Sequence, residues 1–137
     1  MPVMSTHLAN KILDAILRNV AVQYPNVYIS LHTGNPGDGG ASEVQNDGLD
    51  PNSTYGRYET APADWNAADQ KRADNVEVFE FEDMPACTVS HVGLWDAETS
   101  GNFLWAGALL DSRQVFKGDI FRFRVGDLVA EIDPEQE

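Results

Sequence analysis

Residues 87–110 constrain this chain most. Two runs rich in β-branched, aromatic and small apolar residues, 87–95 and 103–110, flank the polar stretch Asp96-Ala97-Glu98-Thr99-Ser100-Gly101-Asn102. Apolar strands around a short polar turn predict a β-hairpin. The second run has almost no polar position, so it is expected to be central and covered on both faces. The hairpin also carries Trp95 and Trp105, His91, and Cys87, the chain's only cysteine. A conventional active site would be sought here first.

Strand parity limits that search. In a regular strand Cys87, Val89, His91, Gly93 and Trp95 share one face, and Thr88, Ser90, Val92 and Leu94 the other. Ser90 and His91 then point apart and cannot form a nucleophile–base pair. The other histidines, His7 and His32, have no ligand spacing relative to His91. His32 and His91 can meet across a sheet, but no third ligand is evident. No Gly-x-Ser-x-Gly elbow is present. With 22 acidic residues, pairs of carboxylates are too common to mark a glycosidase site. No catalytic, cofactor-binding or metal-ligating residue is assigned.

The remaining chain reads in order. Residues 1–4 form an arm. Ser5 or Thr6 caps a helix over 5–20, in which Leu8, Ile12, Ile16 and Val20 form a stripe widened by Ala9, Leu13 and Leu17. This amphipathic helix is expected to pack on its own domain. Residues 27–33 alternate as a half-buried strand, with Val27, Ile29 and Leu31 on one face and Tyr28, Ser30 and His32 on the other. His32 is expected as an ordinary surface or interface histidine.

Residues 34–54 and 62–75 read as long polar loops. The glycines of 34–40 invite a phosphate cradle, but the lysine of a P-loop is missing. Asp38, Glu43, Asp47 and Asp50 are calcium ligands by type, without EF-hand spacing. Trp65 is expected to plug the core edge. Further strands are expected at 55–61, 76–82, 114–117, 120–125 and 128–132. The slip in alternation at Val78-Phe79 suggests a bulge or burial of both faces. Phe121, Phe123 and Val125 are expected inward, and Arg122 and Arg124 outward, at an edge or beside carboxylates. Residues 133–137 form an acidic tail.

One helix and about seven or eight short strands predict a mainly β fold, an antiparallel β-sandwich or barrel with one N-terminal amphipathic helix. The 137 residues suit a single domain, with the sandwich over 27–132. A chain of this size buries roughly two-thirds of its unfolded surface and folds without staples.

Charge excludes further classes. Nine basic and 22 acidic residues give −13, which disfavours nucleic acid and anionic membrane as partners. Cys87 has no disulfide partner within the chain and reads as a small buried apolar residue. No run reaches the roughly 18 apolar residues that span a bilayer. The N-terminus lacks a basic leader and apolar core, so synthesis in the cytoplasm is expected. The sequon Asn52-Ser53-Thr54 carries no weight without a secretion signal.

Three segments together carry a resemblance. They are Leu8-Ala9-Asn10-Lys11-Ile12-Leu13-Asp14; Val27-Tyr28-Ile29-Ser30-Leu31-His32-Thr33-Gly34-Asn35-Pro36-Gly37; and His91-Val92-Gly93-Leu94-Trp95-Asp96-Ala97 with Gly101-Asn102-Phe103-Leu104-Trp105-Ala106-Gly107. In this order they resemble small structural proteins of tailed bacteriophages. Members are labelled tail-fibre proteins, and similar domains serve as virion surface or decoration proteins. The resemblance implies a non-enzymatic virion component, without cofactor, that contacts other capsid or tail proteins. It is least close at 41–54 and 62–75.

Two alternatives are weighed against it. One is a carbohydrate- or receptor-binding module using Trp65, Tyr55 and Tyr58 as stacking platforms. The other is a small hydrolase. The large polar loops further predict a homo-oligomer, a trimer or another ring.

Overall fold

The computed structural model describes residues 3–45 and 55–131. Nine strands and one helix follow in the order β1 (Val3–Met4), α1 (Thr6–Arg18), β2 (Val27–His32), β3 (Tyr58–Thr60), β4 (Arg72–Asp74), β5 (Phe79–Phe81), β6 (Cys87–Trp95), β7 (Phe103–Val115), β8 (Phe121–Phe123) and β9 (Val129–Glu131). A five-stranded sheet has the order β1-β7-β6-β2-β3, and two ribbons pair β4 with β9 and β5 with β8. Every pairing is antiparallel. The arrangement is sandwich-like and mainly β, with the helix at the N-terminus; it is not a closed barrel.

Alternation along β2 builds a core on each side of the large sheet. Ile29 and Leu31 face a core completed by Phe79, Phe81, Met84, Val89, Phe121 and Phe123. The opposite face carries a smaller cluster of Trp95, Phe103 and Ala106, against which Tyr28 packs. β2 is therefore buried on both faces, and the half-buried strand expected at 27–33 is corrected.

The hairpin forms, with one large irregularity. Val89 pairs with Arg113, but His91 pairs with Ala108, so β7 inserts residues 109–112 opposite Ser90. This bulge reverses the alternation of β6. Val89 and Val92, three residues apart, both enter the same core. β6 is the central strand, flanked by β7 and β2. The expectation that 103–110 is central is thus corrected: β7 lies next to the edge, where β1 covers only Trp105 and Ala106.

Several boundaries also move. The expected N-terminal arm contains a strand, because Val3 and Met4 pair with β7. The polar stretch 62–75 contains a 3-10 turn at Pro62–Asp64 and strand β4, which pairs with β9. Neither a bulge nor double burial explains Val78-Phe79: β5 begins at Phe79 and Val78 is exposed. Val125, expected inward, is exposed beyond the end of β8. Residues 46–54 and 132–137, with the loop and tail expected there, lie outside the described residues.

The helix begins as read. The Ser5 side chain accepts a hydrogen bond from the Leu8 amide, and Asn19, in the left-handed region at φ 56°, closes it. The Ser5 amide donates to the Leu104 carbonyl, which fixes the root of α1 on β7. It packs on its own domain, against β7, as expected, but with only part of its apolar face. Leu8 is the buried residue of the helix, while Leu13, Ile16, Leu17 and Val20 are 54%, 72%, 75% and 43% exposed.

Candidate functional site

Three constellations carry chemistry or contact potential: a buried histidine network, a Ser–His pair at the bulge, and the open face of α1. His32, expected at the surface, is fully buried. Nδ1 lies 2.8 Å from the Ala41 carbonyl, which only accepts, so Nδ1 carries the proton. Nε2 then accepts from Ser30 Oγ at 2.6 Å. Ser30 in turn accepts from Trp95 Nε1 at 2.8 Å. Burial, the largest influence, lowers the His32 pKa; Arg57 and His91 push the same way, and the Ala41 carbonyl and Glu43 oppose them. The neutral imidazole that the network requires is thus the form the site favours.

This chain of donors resembles a nucleophile–base pair but is closed to substrate. Ser30 and His32 have no exposed surface, and Trp95 already occupies the serine oxygen. A Cβ on Gly93 would come within 2.8 Å of His32 Nε2 and Ser30 Oγ and 2.5 Å of Phe103. Gly40, at φ +81°, leaves room for Trp95 and Phe103 in the same way. The glycine-rich loop therefore admits an indole ring, where the sequence invited a phosphate.

A second layer holds this network shut. Arg57 pairs with Glu43 through Nε–Oε2 and Nη2–Oε1, both 3.0 Å. Its Nη1 donates to the Ala97 and Ser100 carbonyls of the hairpin turn. The guanidinium lies 3.6 Å from the Trp95 ring centroid. Tyr55 Oη donates to Glu43 and accepts from the Leu31 amide. Sequence reading missed Arg57 and Glu43 as partners, since fourteen positions separate them and no pattern links them.

The parity argument against Ser90 and His91 fails at the bulge. Ser90 Oγ lies 2.7 Å from His91 Nδ1, because residues 109–112 distort the ladder there. Both residues are half-buried, and His91 sits opposite His32 across β2 and β6, as expected. Neither lines the three larger surface cavities, of about 350, 580 and 520 Å³.

The aromatic candidates go to the core. Trp65 tilts on Phe79 with ring centroids 5.6 Å apart and donates Nε1 to Thr60, so it is the plug expected. Tyr55 stacks on Phe81, and Tyr58 packs on Phe79 and Phe81. Tyr55 and Tyr58 also line the 350 Å³ cavity, with Glu80, Glu82 and Glu98. Of the calcium candidates, Asp38 accepts from the Thr6 amide at the start of α1, and Glu43 is held by Arg57. Asp47 and Asp50 lie outside the described residues. Arg122 pairs with Glu80 at 2.6 Å, as its outward placement suggested. Cys87 is half-buried, and burial pushes its thiol pKa up, away from the reactive thiolate.

Among the described residues, the open face of α1 has no such internal partner. Leu8, Ile12 and Ala15 lie along one side of the helix, beneath which β7 packs. Ala9, Leu13, Ile16 and Leu17 lie along an adjoining side, and Val20 continues it past the cap. Exposed aliphatic side chains in one contiguous strip mark a contact surface more often than scattered ones do.

A family model described as Podophage GP4 fiber I protein gp80 matches residues 3–131. The chain belongs to this fibre protein family. It is therefore a phage structural protein of the tail-fibre type, a virion component in contact with other virion proteins. No curated protein matches the chain. The match to the fibre I family spans the helix and all nine strands, so the α1 strip and the histidine network both lie within it.

Proposed function

We propose that this fibre-family chain is a non-enzymatic accessory component of the tail, acting through protein–protein contacts. The helix face carries the reading. Full burial of one aliphatic side chain is worth about 1.5–3 kcal/mol. Leaving Leu13, Ile16, Leu17 and Val20 between 43% and 75% exposed therefore forgoes on the order of 5 kcal/mol within the isolated chain. A surface that a partner covers accounts for that loss. The non-enzymatic part rests on the Ser30–His32 pair, whose polar atoms are consumed internally. The fibre family supports a tail position over head decoration. Copy number tests the placement: tens of copies or fewer per purified particle fit the tail, and hundreds would establish decoration instead.

One observation favours receptor recognition as a second reading. The 350 Å³ cavity sets the rims of Tyr55 and Tyr58 beside Glu80, Glu82 and Glu98, and sugars bind between aromatic rings and carboxylates. Glycan-array binding abolished by Tyr58→Ala would favour it; an array without any hit counts against it.

A further inference from the structure

We propose that the cavity between α1 and the hairpin turn binds an acidic monosaccharide, with its carboxylate on Lys11 and its hydroxyls on Asp96 and Asn102. The site goes beyond the contact-face reading and shares no residue with the Tyr55–Tyr58 cavity. It measures about 210 Å³, and His7, Lys11, Gln23, Tyr24, Asp96 and Asn102 line it. Sites for drug-sized ligands begin at about 300 Å³, so this one suits a single small unit.

Three elements hold the walls. His7 and Lys11 stand one helical turn apart on α1, so their side chains share a face. The start of that helix is fixed by the Ser5 amide on the Leu104 carbonyl and by the Thr6 amide on Asp38. Asp96 and Asn102 close the hairpin turn on each other. Asp96 Oδ1 accepts from the Asn102 amide at 2.7 Å, and Oδ2 accepts from Asn102 Nδ2 at 2.9 Å. Tyr24, on the segment after the helix, completes the cavity, with its Oη 3.5 Å from His7 Nε2. That is too long for a strong hydrogen bond, so both groups keep capacity for a ligand atom.

Charge sorts the ligand. Cations are scarce in a chain of −13, and Arg18, Arg57 and Arg122 are each paired with a carboxylate. Among the described residues Lys11 has no such partner. An ammonium with an imidazole beside it suits a carboxylate. A bare anion fits less well, because the Asp96 carboxylate shares the cavity and repels it. A ligand that also carries hydroxyls resolves the conflict. Each Asp96 oxygen keeps a lone pair after binding Asn102, and a hydroxyl donates to it. Burial, above all, and Asp96 push the Tyr24 phenol above its ordinary pKa, so its hydroxyl stays a donor, and its ring offers an apolar face. A carboxylate, hydroxyls and an apolar ring face together describe a sugar acid.

Amide proton–nitrogen correlation spectra of the full chain, titrated with methyl glucuronoside and with methyl galacturonoside, test the site. The expected result is saturable shifts at His7, Lys11, Tyr24 and Asn102 with at least one of them. Methyl glucoside and inorganic phosphate should each bind at least about tenfold more weakly, since each lacks one half of the recognition. Lys11 is exposed, so Lys11→Met should fold, and it should weaken glycoside binding at least about tenfold. Tyr58→Ala, at the other cavity, should leave that binding unchanged. No shifts with either acidic glycoside, equal binding of the neutral glucoside, or unchanged affinity in Lys11→Met would overturn the site. Equal binding of phosphate would reduce it to a simple anion contact and overturn the sugar as its ligand. Each of these results leaves the structural reading intact. Absence of the chain from purified particles would overturn that reading and leave the sugar site standing.

Discussion

The guanidinium carbon of Arg57 stands over Trp95, 3.6 Å from its ring centroid, while two of the guanidinium nitrogens hold Glu43. One side chain thus joins the stem after the loop, the stem before it and the hairpin turn. The Arg57 and Glu43 side chains are only 8% and 16% exposed, so water screens the pair poorly.

Arg57→Ala should therefore destabilise the fold by about 3–5 kcal/mol, since it strands a largely buried carboxylate. Arg57→Lys should recover little of this, because an ammonium cannot make the two-pronged contact or stack on the indole. Urea unfolding measures both. A loss below about 1 kcal/mol for Arg57→Ala would place the pair among ordinary surface ion pairs.

His32 makes stability depend on pH. Burial, above all, depresses its folded pKa below the ordinary histidine value of about 6.5. Between the two values the unfolded chain binds more protons, so stability falls as pH drops below about 6.5 and is lost through the folded pKa. Glu43, Arg57 and His91 face the same site and set the width of the window. In His32→Gln this part of the pH dependence should disappear from thermal unfolding curves. An unchanged slope between pH 6.5 and lower values would show that His32 is not its source.

The two hairpin tryptophans should respond differently to Trp→Phe. Trp95 donates to Ser30, so Trp95→Phe leaves a buried hydroxyl short of a donor and should cost about 1–3 kcal/mol. Trp105 Nε1 is buried without a hydrogen-bond partner among the described residues, so Trp105→Phe removes an unsatisfied donor. It should be near neutral or stabilising. Equal losses in denaturant titrations would contradict this assignment.

Periodicity made the architecture legible: the Ser5 cap, the alternation of β2, the hairpin and the Trp65 plug follow from local pattern. What stayed hidden depends on distant chain. His32 was placed at the surface because its face of β2 looks polar, yet Trp95 and Phe103 cover it from 63 and 71 positions away. Ser90 and His91 were separated by strict parity, which the bulge in β7, four residues opposite one, breaks. β4 was hidden because Arg72-Ala73-Asp74 has no apolar alternation and gains its ladder from β9. The helix strip was legible as apolar, and its packing on β7 was too, but that packing covers Leu8 and leaves Leu13, Ile16 and Leu17 exposed.

We propose that the contact face lies on α1 and that the Ser–His pairs do no chemistry. Complementation of a phage lacking this chain tests it most directly, with incorporation into particles and infectivity as readouts. Ser90→Ala and His91→Ala should incorporate and restore infectivity as the unsubstituted chain does. Leu13→Glu/Ile16→Glu, shown to be folded, should be absent from particles. Incorporation of the helix variant, or loss of infectivity by particles that carry Ser90→Ala in full number, would contradict the account.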